Sequence, residues 1–475
     1  MTLDAFIGLV MLLVLLGAIF IGVPISFTLL FLAFAFGYVG MGATVFDLAY
    51  FQTIGMMKEE LLAAVPLFIF MGFITEQAGL MERLFTAFRL LLAPIRGALF
   101  LVVVLTATVF AMATGIVGAA VTVLGIMASP IMIKSGYDAK LSAGTITAGG
   151  TLGILIPPSV MLIVMGPVLG VSVADLYAAA FGPGFLLAGI YIVYLMGRSI
   201  WNPKLGPPVP MEERVHSLGA MLKEVLIGVV PLIGLIGATL GSILAGLATP
   251  TEAAGIGTVG ALLLALAYRK LSLAGLQRAL NSTMATSSMV LLLAVTSNIF
   301  GAVFARLGTA NWITNTLLSF QLPPMIMLLM VLVLIFLLGW PFEWPAIILV
   351  FLPIFYPVVK ALEIDLVWFG ALTAVTLQTA FLSPPVAMSA YYLKQVVKEW
   401  SLSTISGGMF QFMILQVICI GLIVAFPQIA LWFPETLQAA SRAQKIPEEH
   451  QKIIDQQRRN SKSLEDDDWG STKSK

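Results

Sequence analysis

The residues best suited to chemistry in this sequence surround two proline pairs, each inside a long apolar run. Pro157 and Pro158 end the stretch GTLGILIPP, and Pro384 and Pro385 end the stretch LQTAFLSPP. Proline has no N–H and pushes the preceding residue out of the helical region, so a proline pair breaks a helix. Carbonyl groups freed at such a break can coordinate a cation, and freed N–H groups can meet an anion. Both stretches are therefore candidate binding sites.

The first break is preceded by two groups of glycine and threonine. The first group, Thr114, Gly115 and Gly118, is predicted to form a flexible tip. The second group, Gly149, Gly150 and Thr151, is predicted to lie on the broken helix. Glycine permits close approach and unusual dihedral angles, so the second group is expected to open the helix ahead of Pro157. Glycine and threonine also pack membrane helices together, so a structural role stays open for each residue taken singly.

The second break is preceded by a different set. The predicted tip contains Gly339, Pro341, Glu343 and Pro345. The predicted broken helix contains Thr376, Gln378, Thr379 and Ser383. Glu343 is the one carboxylate in LLGWPFEWPAIIL. An acid inside a membrane costs free energy and is functional by default; the alternative is a side chain that snorkels or stays protonated in packing. Glu76 and Glu252 lie nearer predicted span ends, where ordinary roles are expected, and Asp138 and Asp365 are predicted helix N-caps.

The elements that position these residues are membrane helices. The chain has 475 residues, 59% hydrophobic and 10% charged, and its mean hydropathy is +1.02. One cysteine and two histidines exclude a disulfide framework and make a Cys/His metal site or an enzyme mechanism improbable. A net charge of +1 gives no case for nucleic-acid binding, and no GxxxxGK[ST] loop occurs. The composition predicts an all-α polytopic membrane protein with no cofactor.

An internal repeat appears when the chain is moved by 227 residues. The matches are Ala119 with Ala346, Val123 with Val350, Pro130 with Pro357, Asp138 with Asp365, Pro157-Pro158 with Pro384-Pro385 and Met161 with Met388. Matched apolar residues are weak evidence for a repeat, because chance matches are common in so hydrophobic a chain. Prolines and an aspartate that match at one offset are strong evidence for it. The chain is therefore predicted to contain two copies of one unit.

Each copy is predicted to hold five spans and one re-entrant hairpin of two shorter segments. The first copy has spans at 4–22, 24–40, 61–80, 141–165 and 177–197 and hairpin segments at 97–112 and 117–133. The second has spans at 225–247, 252–268, 281–305, 366–393 and 405–426 and hairpin segments at 323–338 and 346–359. An odd number of crossings inverts the second copy in the membrane.

The distribution of positive charge favours this inversion. Only Lys58, Arg306 and Lys360 lie on connections predicted to be non-cytoplasmic, against fourteen Lys and Arg residues on those predicted to be cytoplasmic. This is the bias that the positive-inside rule requires. The predicted division is scaffold 1–94, transport core 95–197, cytoplasmic linker 198–224, scaffold 225–322, transport core 323–427 and polar tail 428–475.

Four stretches resemble one transporter family over roughly residues 1–430. They are ATGIVGAAVTVLGIMASPIMIKSGYD, GGTLGILIPPS, LGWPFEWPAIILVFLPIFYP and LQTAFLSPPV. They are similar to the DctM-type large membrane subunit of tripartite ATP-independent periplasmic (TRAP) transporters, and most to the mannitol/chloroaromatic branch. The resemblance implies an elevator-type fold, sodium-driven uptake of a small organic acid across the bacterial inner membrane, and alternating access. It implies two partners, a small four-helix DctQ-type subunit and a periplasmic DctP-type receptor that delivers the substrate.

The resemblance also implies roles for the candidates, carried over by position. Sodium would be held by Thr114, Gly115, Gly118, Gly149, Thr151, Gly339, Glu343, Thr376, Thr379 and Ser383. Substrate would be bordered by Gly150, Pro157, Gln378 and Pro384. At Glu343 the branch usually has aspartate, and the longer side chain leaves two roles open, sodium ligand or hydrogen-bonding residue.

Three other functions make different demands on the sequence. A stand-alone sodium/anion symporter of the same architecture would differ by lacking the two partners. An intramembrane enzyme would need a convergent acid/base or nucleophile set, and the broken-helix regions contain neither histidine nor cysteine. A channel would need no pair of hairpins around an occluded site. The sequence does not name the acid that is carried.

Overall fold

The computed structural model describes residues 2–114, 117–208, 218–383 and 387–439 of the chain. Helices make up most of this described part, in which there is no β-strand. Nine of its helical segments are long and apolar enough to cross a membrane, and one bent pair of helices makes a tenth candidate. The predicted class, an all-α polytopic membrane protein, is confirmed.

Ten helices form the first half of the chain. They are α1 (Leu3–Phe20), α2 (Ile25–Met41), α3 (Thr44–Met57), α4 (Ala64–Gln77), α5 (Leu80–Leu92), α6 (Ala98–Thr114), α7 (Val117–Lys134), α8 (Ala139–Leu155), α9 (Val160–Leu169) and α10 (Val173–Trp201). Most are apolar on every side, as expected of helices between lipid and protein. By contrast α5 is amphipathic, because Glu82, Arg83, Thr86 and Arg89 share one face.

The described second half repeats this order with more interruptions. Its helices are α11 (Leu218–Gly228), α12 (Val230–Ile236), α13 (Ser242–Leu244), α14 (Pro250–Ala267), α15 (Leu273–Arg306), α16 (Thr309–Ser319), α17 (Pro324–Leu338), α18 (Trp344–Ala346), α19 (Leu352–Ala361), α20 (Leu366–Ala380), α21 (Met388–Val396), α22 (Leu402–Ala425) and α23 (428–439). Two π-helical turns, Gly237–Gly241 and Ile347–Phe351, join α12 to α13 and α18 to α19.

Helix bounds recur at the offset seen in the sequence. Moved by 227 residues, α7 at 117–134 becomes 344–361, which is the range from the start of α18 to the end of α19. Likewise α8 begins at Ala139 and α20 at Leu366. The repeat inferred from a few prolines is therefore a repeat of helical elements.

An aspartate at the equivalent position of each copy caps the start of each broken helix. The Asp138 Oδ1 atom accepts a hydrogen bond from the Leu141 N–H at 2.8 Å, and the Asp365 Oδ1 atom accepts one from the Trp368 N–H at 2.8 Å. Each satisfies one of the N–H groups left unpaired in the first turn of a helix. The prediction that both aspartates are N-caps is confirmed.

The two halves exchange their packing partners. Helix α8 packs against α22, and its equivalent α20 packs against α10, the equivalent of α22. In the same way α4 packs against α14 while α15 packs against α2, and α7 packs against α21 while α9 packs against α18 and α19. A pseudo-twofold axis between the halves would produce this exchange. The predicted inverted repeat is consistent with it and stays a prediction.

The first hairpin returns to the side from which it starts. The N–H of Leu99, at the start of α6, donates to the Tyr137 hydroxyl after the end of α7 at 3.2 Å. The rings of Phe100 and Tyr137 have centroids 4.9 Å apart. Because the start of α6 contacts a residue three positions beyond the end of α7, the two helices lie side by side and antiparallel.

Contacts between connections fall into two groups that match the predicted sides. Among connections predicted to be cytoplasmic, the Gly97 N–H donates to the Gly206 carbonyl at 2.9 Å, and the Asp138 N–H donates to the Leu205 carbonyl at 3.0 Å. The Arg83 guanidinium also lies 4.6 Å from the centroid of the Tyr268 ring.

On the predicted outer side, the Thr309 hydroxyl donates to the Ala5 carbonyl at 3.3 Å, and the Thr251 hydroxyl donates to the Glu60 carbonyl at 3.1 Å. These contacts are the ones an inverted arrangement requires. The orientation of each half in the membrane stays a prediction.

The structure adds helices that the sequence analysis did not predict. Helices α3, α5 and α16 connect the predicted spans. The span predicted at 281–305 is the end of α15, whose 34 residues exceed the roughly 20 needed to cross the hydrocarbon core. The equivalent part of the first half is interrupted after Met57, so α3 and α4 are separate there.

Candidate functional site

The first hairpin tip lies between the end of α6 and the start of α7. Helix α6 ends at Thr114, and Gly115 lies outside the described residues. Gly118, in the first turn of α7, faces the second half: a Cβ atom placed on it would lie 3.1 Å from the ring of Tyr392 on α21. The first tip therefore contacts the second broken helix.

The helix does not open at the glycines ahead of the first break. Gly149, Gly150 and Thr151 lie inside α8, which continues to its end four residues later, so the predicted opening at these positions is wrong. A Cβ atom on Gly150 would lie 2.4 Å from Val121 Cγ2, and one on Gly149 would lie 3.1 Å from Ala107 Cβ. The two glycines let both hairpin helices approach α8 closely, which is the structural role left open above.

The first break occurs at the proline pair itself. The axes of α8 and α9 differ by 43°. Because Pro157 and Pro158 carry no N–H, the carbonyls of Gly153 and Ile154 lose their helical donors. The Ser159 hydroxyl, fully buried, donates to the Ile154 carbonyl at 2.5 Å. One of the two carbonyls freed by the prolines is thus satisfied by a side chain.

A side-chain hydrogen bond joins the two broken helices at equivalent positions. The Gln378 Nε2 atom donates to the Thr151 Oγ1 atom at 3.2 Å, and the two residues are 227 positions apart, so they occupy equivalent positions in the two copies of the repeat. The Thr151 hydroxyl donates in turn to the Ala148 carbonyl at 2.8 Å. Both side chains are fully buried, and within the described residues Gln378 Oε1 has no hydrogen-bond partner.

Two predicted sodium ligands on α20 bond to their own helix. The Thr376 hydroxyl donates to the Leu372 carbonyl and the Thr379 hydroxyl to the Val375 carbonyl, each at 2.8 Å. Both residues are buried. Each hydroxyl oxygen keeps lone pairs, so these bonds leave a ligand role open.

The second hairpin tip is held against the end of α20. The Trp340 Nε1 atom donates to the Ser383 hydroxyl at 2.9 Å, and that hydroxyl donates to the Ala380 carbonyl at 2.9 Å. A Cβ atom on Gly339 would lie 2.3 Å from Ala380 Cβ, so only glycine fits there without movement. Pro384, the next residue after Ser383, lies outside the described residues.

A small cavity lies between this tip and the second break. Its volume is about 40 Å³, and a buried water needs roughly 10–15 Å³, so it has room for about three waters or for an ion that keeps part of its hydration. Its lining is Gly339, Trp340, Pro341, Phe342 and Glu343 from the tip and Ala380, Phe381, Ala387 and Met388 from the second broken helix. The Phe381 carbonyl would bond in a helix to the N–H that Pro385 lacks.

A larger cavity adjoins it, with a volume of about 340 Å³. That is within the range of small-molecule sites, roughly 300–1,000 Å³. Its described lining is Ile69, Val117, Gly118, Ile154, Val160, Thr286, Met289, Val290, Glu343, Trp344, Phe381, Met388 and Tyr392. Both hairpins, both breaks and helices α4 and α15 meet around it. Glu343, Phe381 and Met388 line both cavities.

The structure brings some predicted site residues together and leaves others apart. Gly118 and Glu343 line the larger cavity, whereas Gly150 and Gln378, predicted to border substrate, are not part of its described lining. Two further residues were not among the candidates: Trp340, which lies inside the quoted stretch LGWPFEWPAIILVFLPIFYP, and Tyr392, which lies in none of the quoted stretches. Sequence analysis also missed Thr286, although the hydroxyl-rich run NSTMATSS at the start of a predicted span was a signal.

The comparisons with known proteins agree on one family. A family model described as the DctM component of tripartite ATP-independent periplasmic transporters matches residues 9–429. The sialic acid TRAP transporter large permease protein SiaM of Vibrio cholerae is 31% identical over 88% of this chain and 96% of its own length. The C4-dicarboxylate TRAP transporter large permease protein DctM of Pseudomonas aeruginosa is 30% identical over 79% of this chain and 86% of its own length.

A solved structure shares the fold. The crystal structure of the YdaH transporter of Alcanivorax borkumensis matches with a TM-score of 0.58 and 17% identity, over 82% of this chain and 88% of that one. The permease relatives and the apolar helices confirm a multi-pass protein of the bacterial inner membrane that is not an enzyme. This chain belongs to the DctM family of TRAP transporter large membrane subunits.

Proposed function

We propose that this chain carries a small organic acid into the cell together with sodium, by an elevator motion of its two transport-core segments. The observation that carries the proposal is the pair of adjoining cavities that share Glu343. An ion-sized space next to a substrate-sized space lets one bound species stabilise the other. Coupling of the two in this way is the requirement for symport.

Sodium fits the smaller cavity by its chemistry. Broken membrane helices coordinate sodium through unwound carbonyl groups, and residues of the tip, among them Glu343, line the smaller cavity together with residues on either side of the second break. The repeat of helical elements supports a second ion position at the first tip, around Thr114 to Gly118. An inward movement of net positive charge would gain ~2.3 kcal/mol per charge for each 100 mV of membrane potential.

The elevator motion is supported by how the hydrogen bonds divide. Take α1–α5 and α11–α16 as scaffold and α6–α10 and α17–α22 as core. In the scaffold the Thr258 hydroxyl donates to the Leu67 carbonyl at 3.0 Å. In the core Trp368 Nε1 donates to the Ile423 carbonyl at 3.1 Å, and the Thr151–Gln378 bond joins both halves. Bonds within each body leave the apolar surface between them as the place to slide.

Two partners complete the proposal. The family name describes a three-component transporter, so we expect a small membrane subunit and a periplasmic receptor that delivers the acid. The names of the relatives mention sialic acid and C4-dicarboxylates, both organic acids, which supports this class of substrate.

The test is uptake into proteoliposomes that contain this chain, its small subunit and its receptor. We expect accumulation of the acid with an inward sodium gradient and none when potassium replaces sodium. Glu343→Gln should raise the sodium concentration for half-maximal uptake at least fivefold, because the ion loses a charged ligand. Glu363→Gln, which changes an exposed carboxylate between α19 and α20, is the matched control. Equal uptake in potassium would end the sodium proposal.

A further inference from the structure

An apolar groove lies on the outer surface of the scaffold, between α14 on one side and α12 with its π-helical turn on the other. Its volume is about 750 Å³, and each of its eleven described lining residues is Gly, Ala, Pro, Val, Leu or Ile. Val259 and Leu263, on the α14 wall, are exposed. A Cβ atom placed on Gly234 or Gly255 would meet nothing within 4 Å, so the groove is open at both positions.

The groove is about as long as one leaflet of the bilayer is deep. On α14 its lining runs from Gly255 to Ala267, which is about 18 Å at 1.5 Å per residue. Half of the hydrocarbon core is about 15 Å deep. The end near Ala267 is fixed against α11, because the hydroxyl of Tyr268 donates to the carbonyl of Ile227. One acyl chain therefore fits along the groove, starting from this end.

Positive charge is concentrated at that same end. Arg269 and Lys270 directly follow Tyr268 in the chain, and both are exposed. The Arg83 guanidinium on α5 lies 4.6 Å from the centroid of the Tyr268 ring. Lys223, five residues before the end of α11, is exposed as well. Four cations thus surround the point where α14 ends.

The carboxylates nearby leave this end positive. Glu82 and Glu224 are the acidic residues of α5 and α11. The Glu82 side chain turns toward the start of its own helix, since a Cβ atom on Gly79 would lie 3.4 Å from its Oε2 atom. At the other end of the groove, residues 238–257 contain no lysine or arginine and one acid, Glu252, which caps α14. The groove therefore has cations at the end predicted to be cytoplasmic and none at the opposite end.

We propose that this groove binds an anionic phospholipid of the cytoplasmic leaflet, with one acyl chain between α12 and α14 and the phosphate beside Arg269 and Lys270. The order of an apolar channel followed by cations is the order of chain and headgroup in such a lipid. Basic sites between membrane helices on the cytoplasmic side recognise anionic headgroups in this way. The groove shares no residue with the two cavities at the breaks, so the inference does not rest on the proposed function.

The test measures lipid binding to the full-length protein in detergent by native mass spectrometry. The probes are dioleoylphosphatidylglycerol and dioleoylphosphatidylcholine, which have the same acyl chains and differ in net charge, and glycerol phosphate, which has no chain. We expect the first phosphatidylglycerol to bind at least five times more tightly than phosphatidylcholine, and excess glycerol phosphate not to displace it. Equal binding of the two lipids would overturn the proposal, and so would displacement by glycerol phosphate.

A pair of double variants tests the cations. Arg269→Gln with Lys270→Gln should reduce the preference for phosphatidylglycerol to less than twofold. Lys204→Gln with Lys398→Gln is the matched control, because it removes two exposed cations from other connections predicted to be cytoplasmic. The control should keep the full preference. Equal loss in both double variants, or no loss in the first, would show that Arg269 and Lys270 do not bind the headgroup and would overturn the proposal.

A second pair tests the groove. Gly234→Leu fills it at a position where the structure has room for the side chain, and it should weaken phosphatidylglycerol binding at least fivefold. Gly189→Leu makes the same change on α10, where a Cβ atom also meets nothing within 4 Å, and should leave binding unchanged. Unchanged binding in Gly234→Leu would overturn the proposal.

The small membrane subunit is the other candidate occupant, and the same titration with that subunit bound distinguishes it from lipid. We expect phosphatidylglycerol to bind with unchanged affinity in its presence. Loss of the lipid when the subunit binds would show that a protein covers the groove and would overturn the assignment to lipid.

Discussion

At the scale of single residues, the Thr151–Gln378 hydrogen bond is the direct link between the two halves at their axis. Equivalent residues meet there, but they are different amino acids, so the contact is asymmetric: an amide donates and a hydroxyl accepts. The Thr151 hydroxyl is already bonded to its own helix. The pair therefore aligns the two broken helices, and the Gln378 amide oxygen has no hydrogen-bond partner in the described part of the chain.

A double-mutant cycle tests this alignment. Thr151→Val removes the acceptor and leaves a buried amide donor unpaired, which we expect to cost about 1–3 kcal/mol of the free energy of unfolding. Gln378→Met together with Thr151→Val removes both partners and should restore part of that loss, with a coupling energy of about 0.5–1.5 kcal/mol. Unfolding in mixed micelles by SDS titration measures each value.

The control for this cycle is Thr147→Val in the same helix. The Thr147 hydroxyl is buried and donates to the Ala143 carbonyl at 2.8 Å, within its own helix. Its loss should be independent of residue 378. A cycle at 151 and 378 with no more coupling than this control would show that the bond does not align the helices.

At the scale of elements, helix α8 depends on glycine for its packing between the hairpin helices. The Cβ atom absent from Gly150 leaves room for Val121 of α7, including its backbone nitrogen, which would lie 3.0 Å away. A side chain can rotate, but a helix backbone must shift as a whole. The hairpin can therefore lie against α8 only while this position has no side chain.

Gly150→Ala tests that dependence. We expect it to destabilise the protein by about 1–3 kcal/mol, the usual cost of overpacking, because α7 and α8 must separate. Gly189→Ala in α10 is the matched control, since a Cβ atom there would meet nothing within 4 Å, and it should be neutral or slightly stabilising. Equal thermal unfolding temperatures for the two variants would contradict close packing at Gly150.

At the scale of the whole molecule, the two halves are copies that exchange partners about one axis. Helices α4, α7 and α8 of the first half pack against α14, α21 and α22 of the second, so the two halves interlock. An axis lying in the plane of the membrane would place equivalent positions on opposite sides. Such an arrangement would support the proposed alternating access, because the twofold rotation would relate the outward-facing state to the inward-facing state.

Cysteine labelling measures the direction of that axis. Lys134 and Ala361 end the second helices of the two hairpins, are both exposed, and are 227 residues apart. In a background where Cys419, the single cysteine, is replaced by alanine, Lys134→Cys should react from the cytoplasm and Ala361→Cys from the periplasm. Labelling of both from the same side would mean parallel repeats and would contradict the predicted topology.

Much of the architecture was predictable because membrane helices obey local rules. Apolar run length, proline pairs and capping aspartates are properties of short segments, and they located the spans, the breaks and the starts of α8 and α20. Long-range features were harder to predict. A glycine in a helix can either open the helix or let a neighbouring helix pack closely, and the local sequence does not distinguish these roles. Helix opening was predicted for Gly149 and Gly150, and the structure shows close packing instead.

The sequence by itself determined that this protein is a two-copy bundle of membrane helices with paired breaks, since the bilayer imposes segment length and hydropathy directly on the chain. Only the tertiary structure decided what surrounds the breaks: Tyr392 and Met289 on the cavity wall, Trp340 on Ser383, and Gln378 on Thr151. These contacts join residues far apart in the chain, and nothing in a local pattern specifies which side chains will meet when the two halves interlock.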